Sequence, residues 1–82
     1  MSLTLTLIGT ASCRRYQKMR QRLIAVADEL EIAYQLEEIN DTVRLSAYNP
    51  LSLPRLMVEE ELFASKNPPD LAKIREKLKE ER

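Results

Sequence analysis

The sequence predicts an α/β fold in which helices flank a four-stranded mixed sheet, with the elements in the order βαβαββα. Three features predict this class: an N-terminal apolar segment of period two, a long amphipathic helix directly after it, and two short apolar runs that precede a proline-led C-terminal helix. A right-handed crossover makes the first two strands parallel, and the later hairpin adds two antiparallel strands. The length of 82 residues corresponds to a single domain, residues 1–82, with a modest core.

The first half of the chain alternates strand and helix patterns. Three leucines alternate with threonine, which predicts a strand over residues 3–8. After a turn of small and polar residues, the pattern changes to a helix over residues 13–31. Its apolar stripe has helical spacing and consists of Tyr16, Met19, Leu23, Val26, Ala27 and Leu30. A second strand is expected over residues 32–39.

A short second helix is expected next. Residues 40–42 provide capping side chains, and we expect the helix to reach about Tyr48 with Val43 and Ala47 on one face. The following Asn-Pro pair ends this helix, because a residue before proline disfavours helical backbone. Irregular chain is expected up to Pro54.

The closing elements are a hairpin and a helix. Pro54 introduces a strand over residues 55–58, and three glutamates separate it from a further strand over residues 62–64. We expect Asn67 to be the N-cap of the last helix, with proline in its first turn. The buried side of that helix is expected to consist of Leu71, Ile74 and Leu78.

The charges are balanced overall but segregated along the chain. Residues 1–27 carry five basic side chains and no acidic one, whereas residues 28–41 carry six acidic side chains and no basic one. The first helix therefore has bases at its start and acids at its end, the reverse of the order that the helix dipole favours. A solvated helix face is one explanation, and selection for something other than helix stability is the other.

Composition excludes several kinds of protein. With one cysteine and no histidine, the chain has no internal disulfide, no ordinary zinc site and no Cys-His or Ser-His catalytic pair. No apolar run approaches the roughly 20 residues of a membrane span, and the N-terminus lacks the basic and apolar regions of a signal peptide. The basic cluster is too small and too poor in aromatics to indicate nucleic-acid binding. We expect a cytoplasmic protein with no metal and no membrane or nucleic-acid partner.

Three stretches carry a resemblance to a known family. Residues 5–10 (Leu-Thr-Leu-Ile-Gly-Thr) are followed by Cys13, where the family has a strand, Gly-Thr and then Cys-x-x-Cys. Residues 47–56 are similar to the family's Ser-Tyr-Gly-Val-Met-Ser-Thr-Pro-Ala-Leu, and the third stretch is the closing hairpin and helix. In this order the stretches resemble the thioredoxin fold, and among its small members the glutaredoxin-like and archaeal-type thioredoxin-like "redox-active disulfide" proteins.

The chain departs from this family at the second cysteine. The family's motif falls on Cys13-Arg14-Arg15-Tyr16, so the nucleophilic position is kept and Tyr16 stands in the resolving position. One extra residue precedes the cysteine, and Glu60-Glu61 replaces the family's Asp-Gly hairpin turn. One chain alone therefore lacks the family's dithiol route.

The resemblance implies a site around the start of the first helix. Cys13 would be the catalytic residue, because a helix N-terminus and neighbouring cations favour the thiolate. The substrate-binding residues would be Arg14, Arg15, Tyr16, Leu53 and Pro54. The resemblance further implies a cis Leu53–Pro54 bond close to Cys13, and a Leu53 backbone that pairs with extended substrate.

The resemblance implies a function as a thioredoxin- or glutaredoxin-like monothiol disulfide oxidoreductase. Its partner would be a disulfide-bearing protein or glutathione. It would need no cofactor beyond an external thiol, for which glutathione is a candidate.

Two roles remain open for Cys13 and for Tyr16. Cys13 is either reactive or a remnant at the edge of the core, since free cysteine is among the most buried residue types. Tyr16 either fills core space or donates a hydrogen bond to the thiolate or a ligand. An inert Cys13 would make the chain a non-catalytic thioredoxin-fold module that binds a peptide or protein partner. The sequence leaves the oligomeric state open.

Overall fold

The predicted α/β fold is confirmed by a computed structural model, which describes residues 2–81. The strands are β1 (Leu3–Ile8), β2 (Tyr34–Ile39), β3 (Arg55–Val58) and β4 (Glu61–Ser65). The helices are α1 (Arg14–Glu29), α2 (Thr42–Leu45) and α3 (Leu71–Glu81), with a 3-10 turn at Pro50–Ser52. The sheet has the strand order β2-β1-β3-β4, in which β1 is parallel to β2 and antiparallel to β3, and β3 and β4 form the hairpin.

The core lies on the face of the sheet that α1 and α3 cover. The leucines of β1 point to this face, and the stripe of α1 packs on them, as its spacing predicts. The buried cluster consists of Leu3, Leu5, Leu7, Tyr16, Met19, Leu23, Val26, Ala27, Leu56, Val58, Ile74 and Leu78. Leu30 and Ile32 pack partly buried against it.

Helix α1 ends two residues earlier than its pattern predicts, and this end also shortens β2. Glu31 has a left-handed φ of 54°. Its N–H donates to the carbonyl of Asp28, and the N–H of Ile32 donates to the carbonyl of Ala27, which is the Schellman arrangement. Because the cap uses Ile32, the second strand begins at Tyr34 and not at residue 32.

The second helix is shorter than predicted and has no buried face. Asp41 caps it by accepting a 2.9 Å hydrogen bond from the N–H of Arg44. From Ala47 onwards the backbone N–H groups bond three residues back instead of four, so the helix tightens and ends before Tyr48. Ala47 lies beyond the end of α2 and Val43 is 82 % exposed, so the two residues do not form one face of this helix.

The last helix begins four residues after the predicted cap. Its first intrahelical hydrogen bond runs from the Ile74 N–H to the Asp70 carbonyl, so Asp70 occupies the N-cap position and not Asn67. Two consecutive prolines follow Asn67, and each disfavours helical backbone in the residue before it. Leu71 then lies at the exposed start of the helix, 44 % accessible, and not on the buried side.

The hairpin turn consists of Glu59 and Glu60, because Val58 pairs directly with Glu61. The turn therefore lies one residue before the predicted Glu60-Glu61. Glu59 has a φ of 58°, and its N–H donates to the carbonyl of Thr4 at 2.7 Å. Within residues 2–81, no helix has the length and apolar composition that crossing a membrane requires.

The packing of α1 predicts a difference between its two faces. Leu23 has no exposed surface, so Leu23→Ala should lower the free energy of unfolding by about 2–5 kcal/mol. Gln21 lies on the exposed face of the same helix, so Gln21→Ala should change it by less than about 0.5 kcal/mol. Urea denaturation measures both values. Equal losses would contradict the assignment of the buried face.

Candidate functional site

The candidate site is the corner where β1 ends, α1 begins and the Leu53–Pro54 segment enters β3. The sheet brings these pieces together, because Ile8 at the end of β1 pairs with Arg55 at the start of β3. The peptide bond between Leu53 and Pro54 is cis. Pro54 itself is buried.

Gly9 is the point at which the corner closes. A methyl group on its Cα would lie 3.0 Å from Cδ2 of Tyr16 and 3.2 Å from Cβ of Pro54. Both distances are shorter than ordinary carbon contacts, so a side chain at this position would require Tyr16 or Pro54 to shift. The sequence places Gly9 in a turn without this packing role. The available signal is that it is the only glycine in the chain and directly follows a strand.

Cys13 is the N-cap residue of α1. Its backbone is extended (φ −70°, ψ 130°), its N–H donates to the Thr10 carbonyl and its carbonyl accepts from the Gln17 N–H, both at 3.0 Å. The thiol makes no capping hydrogen bond, although the first amides of a helix lack intrahelical partners. The side chain is partly buried against the core and partly exposed.

Tyr16 lies one helical turn after Cys13 and below the surface. Its side chain is 1 % exposed, and its hydroxyl donates a 2.7 Å hydrogen bond to Oε1 of Glu38. Glu38 lies on β2 and also accepts a 3.0 Å hydrogen bond from Nε of Arg20. Of the two roles left open by the sequence, these contacts favour core filling, because the hydroxyl is bonded to Glu38.

The environment of Tyr16 holds its proton firmly. Burial, followed by the hydrogen bond to the Glu38 carboxylate, raises the pKa of Tyr16 to about 12. The nearby Asn40 amide and Arg20 guanidinium act in the opposite direction but are outweighed. Asn40 also donates to the Gly9 carbonyl at 2.9 Å, which ties the end of β2 to the corner. Glu38 and Asn40 were not identified from the sequence, because nothing local marks a partner 22 positions from Tyr16.

The Leu53–Pro54 segment is held against β4. The hydroxyl of Ser65 donates to the Ser52 carbonyl at 2.7 Å, and the N–H of Lys66 donates to the Pro54 carbonyl at 3.0 Å. Leu53 is partly exposed and extended (φ −94°, ψ 150°), with its N–H in a long 3.3 Å bond to the Pro50 carbonyl. An extended backbone that is partly accessible is suited to pairing with another chain.

The predicted basic residues line a cleft beside the start of α1. Arg14, Arg15 and Lys18 are exposed and, with Asn67 and Pro68, surround a volume of about 170 Å³. We call this the basic cleft. Its far wall is attached to α1, because Nη1 of Arg22 donates to the Pro69 carbonyl at 2.9 Å.

A larger cavity of about 620 Å³ lies near the start of β1, at the other end of that strand. Its lining includes Leu3 and Ile32 together with Glu31, Glu59 and Glu81. Its described lining contains no thiol and no cationic side chain, whereas the corner at Gly9 combines a thiol, cations and accessible backbone. We therefore place the candidate site at the corner.

Comparisons with known proteins give one family and one fold. A family model described as a thioredoxin domain matches residues 3–79. The chain is similar in structure to the germline-specific thioredoxin Deadhead of Drosophila melanogaster, with a TM-score of 0.59, 15 % identity, and coverage of 96 % of this chain and 80 % of that one. It is also similar to glutaredoxin 1 of Francisella tularensis complexed with cacodylate, with a TM-score of 0.51, 13 % identity, and coverage of 96 % and 95 %. No curated protein sequence matches the chain.

The buried Tyr16 hydroxyl predicts a stability loss at alkaline pH. Its pKa is about 12 in the folded chain and near 10 when unfolded. The unfolded chain therefore releases this proton first, so the stabilising contribution is complete below pH 10 and is lost as the pH rises towards 12. Across this window we expect wild type to lose about 2–3 kcal/mol more than Tyr16→Phe, which has no hydroxyl to titrate.

Denaturant titrations of both proteins from pH 8 to pH 12 measure this difference. Tyr34 and Tyr48 are present in both proteins, so their titration cancels in the comparison. Parallel stability curves for wild type and Tyr16→Phe would show that the hydroxyl is not held in this way.

Proposed function

Because this chain belongs to the thioredoxin domain family, we propose that it is a monothiol thiol-disulfide oxidoreductase with Cys13 as its nucleophile. The supporting observation is the position of Cys13, at the N-cap of α1 beside the Gly9–Pro54 corner, with its side chain partly exposed. The first turn of α1 contains no acidic side chain. Arg14 and Arg15 follow Cys13 directly, so positive charge is available there to attract an anionic substrate.

The proposed reaction has two exchange steps. The Cys13 thiolate attacks one sulfur of a substrate disulfide, a new S–S bond forms and the other substrate sulfur leaves as a thiolate. An external thiolate then attacks the sulfur that the substrate contributed. This step releases Cys13 as a thiolate and leaves the substrate joined to the external thiol. Two electrons pass to the disulfide substrate only when a second external thiol completes its reduction.

The remaining residues of the proposed site orient the substrate. In this proposal the backbone of Leu53, next to Pro54, pairs with an extended segment of the substrate. Arg14 and Arg15 contact its anionic groups. Glutathione is the proposed external thiol and the cytoplasm the proposed location, since glutathione keeps cytosolic thiols reduced. No cofactor is part of the proposal.

The second cysteine position explains why an external thiol is needed. Tyr16 occupies it with a buried ring, so there is no second sulfur one turn from Cys13. We also propose that the chain most resembles the archaeal-type "redox-active disulfide" proteins. Tyr16 of this chain stands in the place of their resolving cysteine. Tyr16 acts in it by filling the corner, not by contacting the substrate.

Reactivity of Cys13 in the folded and unfolded chain tests the proposal. Wild type mixed with glutathione disulfide should form a one-to-one mixed disulfide, detectable by mass spectrometry, that reduced glutathione removes. The rate at neutral pH should be at least tenfold higher for the folded protein than for the chain unfolded in urea, because folding orders the substrate-orienting residues around Cys13. Cys13→Ser is the matched control and should form no adduct. A folded rate equal to or below the unfolded rate would contradict the proposal and favour a non-catalytic binding module.

Restoring a second thiol provides a further prediction. In Tyr16→Cys the two sulfurs would lie three positions apart on one helical turn, within the Cα separation of about 4.4–6.8 Å that a disulfide needs. The variant should form an intramolecular disulfide and reduce a test disulfide faster than wild type without added thiol. Loss of the buried ring should lower the free energy of unfolding by a few kcal/mol.

Tyr16→Ser loses the same ring without gaining a thiol and is therefore the control for this variant. Both proteins are first shown to fold by circular dichroism. If folded Tyr16→Cys forms the disulfide but exchanges no faster than Tyr16→Ser, the corner does not support exchange.

A further inference from the structure

Three cations beside Cys13 have no ionic partner in the part of the chain that the structure describes. Arg14, Arg15 and Lys18 form neither a salt bridge nor a side-chain hydrogen bond within residues 2–81. Further along the same helix, Arg20 pairs with Glu38 and Arg22 bonds to a carbonyl. Within α1, the unpaired cations are therefore confined to its first five residues.

The placement of these three cations does not stabilise the folded chain. The first turn of α1 contains no acidic side chain and its last turn contains no basic one, so both ends oppose the helix dipole. Three like charges within five residues also repel each other. An anion bound from outside would relieve both effects.

The cations line a defined space and not an open surface. Asn67 and Pro68 form the opposite wall of the basic cleft. Hydrogen bonds hold this wall: the Asn67 N–H donates to the Ser65 carbonyl at 2.9 Å, and the Lys66 N–H donates to the carbonyl of Pro54. The cleft is thus joined to the segment that is proposed to pair with substrate backbone.

We infer that the basic cleft binds acidic side chains next to the reacting cysteine of a disulfide-bearing protein, so that Cys13 exchanges preferentially with acidic partners. The inference rests on the proposed function and specifies its substrate class. Arg14 and Lys18 are four positions apart on one helix face, about 6 Å along its axis. That distance equals about two residues of an extended chain, which suits acidic side chains at alternate positions.

Two peptide substrates test this preference. Each contains one cysteine in a disulfide with the same chromogenic aryl thiol, flanked by glutamates in one peptide and by glutamines in the other. The Cys13 thiolate bonds to the peptide sulfur and the aryl thiolate leaves, because the thiol of lower pKa is the better leaving group. Each rate is divided by the rate of the same peptide with a neutral small thiol, which removes intrinsic differences between the peptides.

We expect wild type to react about tenfold faster with the acidic peptide at low salt. The preference should shrink at high ionic strength, where the screening length falls to a few ångströms. It should fall to about twofold or less in Arg14→Gln/Lys18→Gln. It should persist in Lys73→Gln/Lys79→Gln, which loses the same charge from exposed positions on α3 outside the cleft.

The outcomes separate the inference from the proposed function. If Cys13 reacts with neither peptide, the proposed function fails. If it reacts with both at equal rates, or if Arg14→Gln/Lys18→Gln keeps the preference, the function stands and the inference is overturned. A preference for the acidic peptide that persists undiminished at high salt would also overturn it.

Discussion

The packing of α1 across β1 is the contact on which the rest of the structure depends. β1 is one of the two central strands and pairs with both β2 and β3. Met19 and Leu23 pack on its leucines and have no exposed surface. Removal of this apolar surface from water is the main favourable term in a chain of this size. Because the turn between β1 and α1 is short, seating the helix on the strand also fixes Cys13 at the edge of the sheet.

The corner at Gly9 connects that packing to the candidate site. A methyl group on Gly9 would be crowded by Tyr16 on one side and by Pro54, which precedes β3, on the other. Tyr16 then connects the corner to β2 through Glu38, so one buried ring joins three elements. In the proposed function, this buried ring stands where a resolving sulfur would lie, and Cys13 is the single thiol of the chain.

The charge order of α1 lowers the stability of this helix, and the proposed function gives a reason for the order. Acidic side chains at the start of a helix and basic ones at its end are stabilising, yet α1 has the opposite order. The core beneath supplies enough apolar burial to tolerate the loss. Sites that bind or react commonly sacrifice some stability in this way, and Arg14, Arg15 and Lys18, which are unpaired within residues 2–81, follow Cys13 in the first turns of α1.

The sequence by itself determined the fold class, α1 and its stripe, the strands β1 and β3, and the position of Cys13 at a helix start, because periodicity and neighbouring residues are local signals. The tertiary structure alone decided where the elements end, as at Ile32 and Asp70, and which distant groups meet. The contact of Gly9 with Pro54 and the bond from Tyr16 to Glu38 depend on strand register and helix placement. Neighbouring residues predict neither contact, because both contacts result from the packing of segments far apart in sequence.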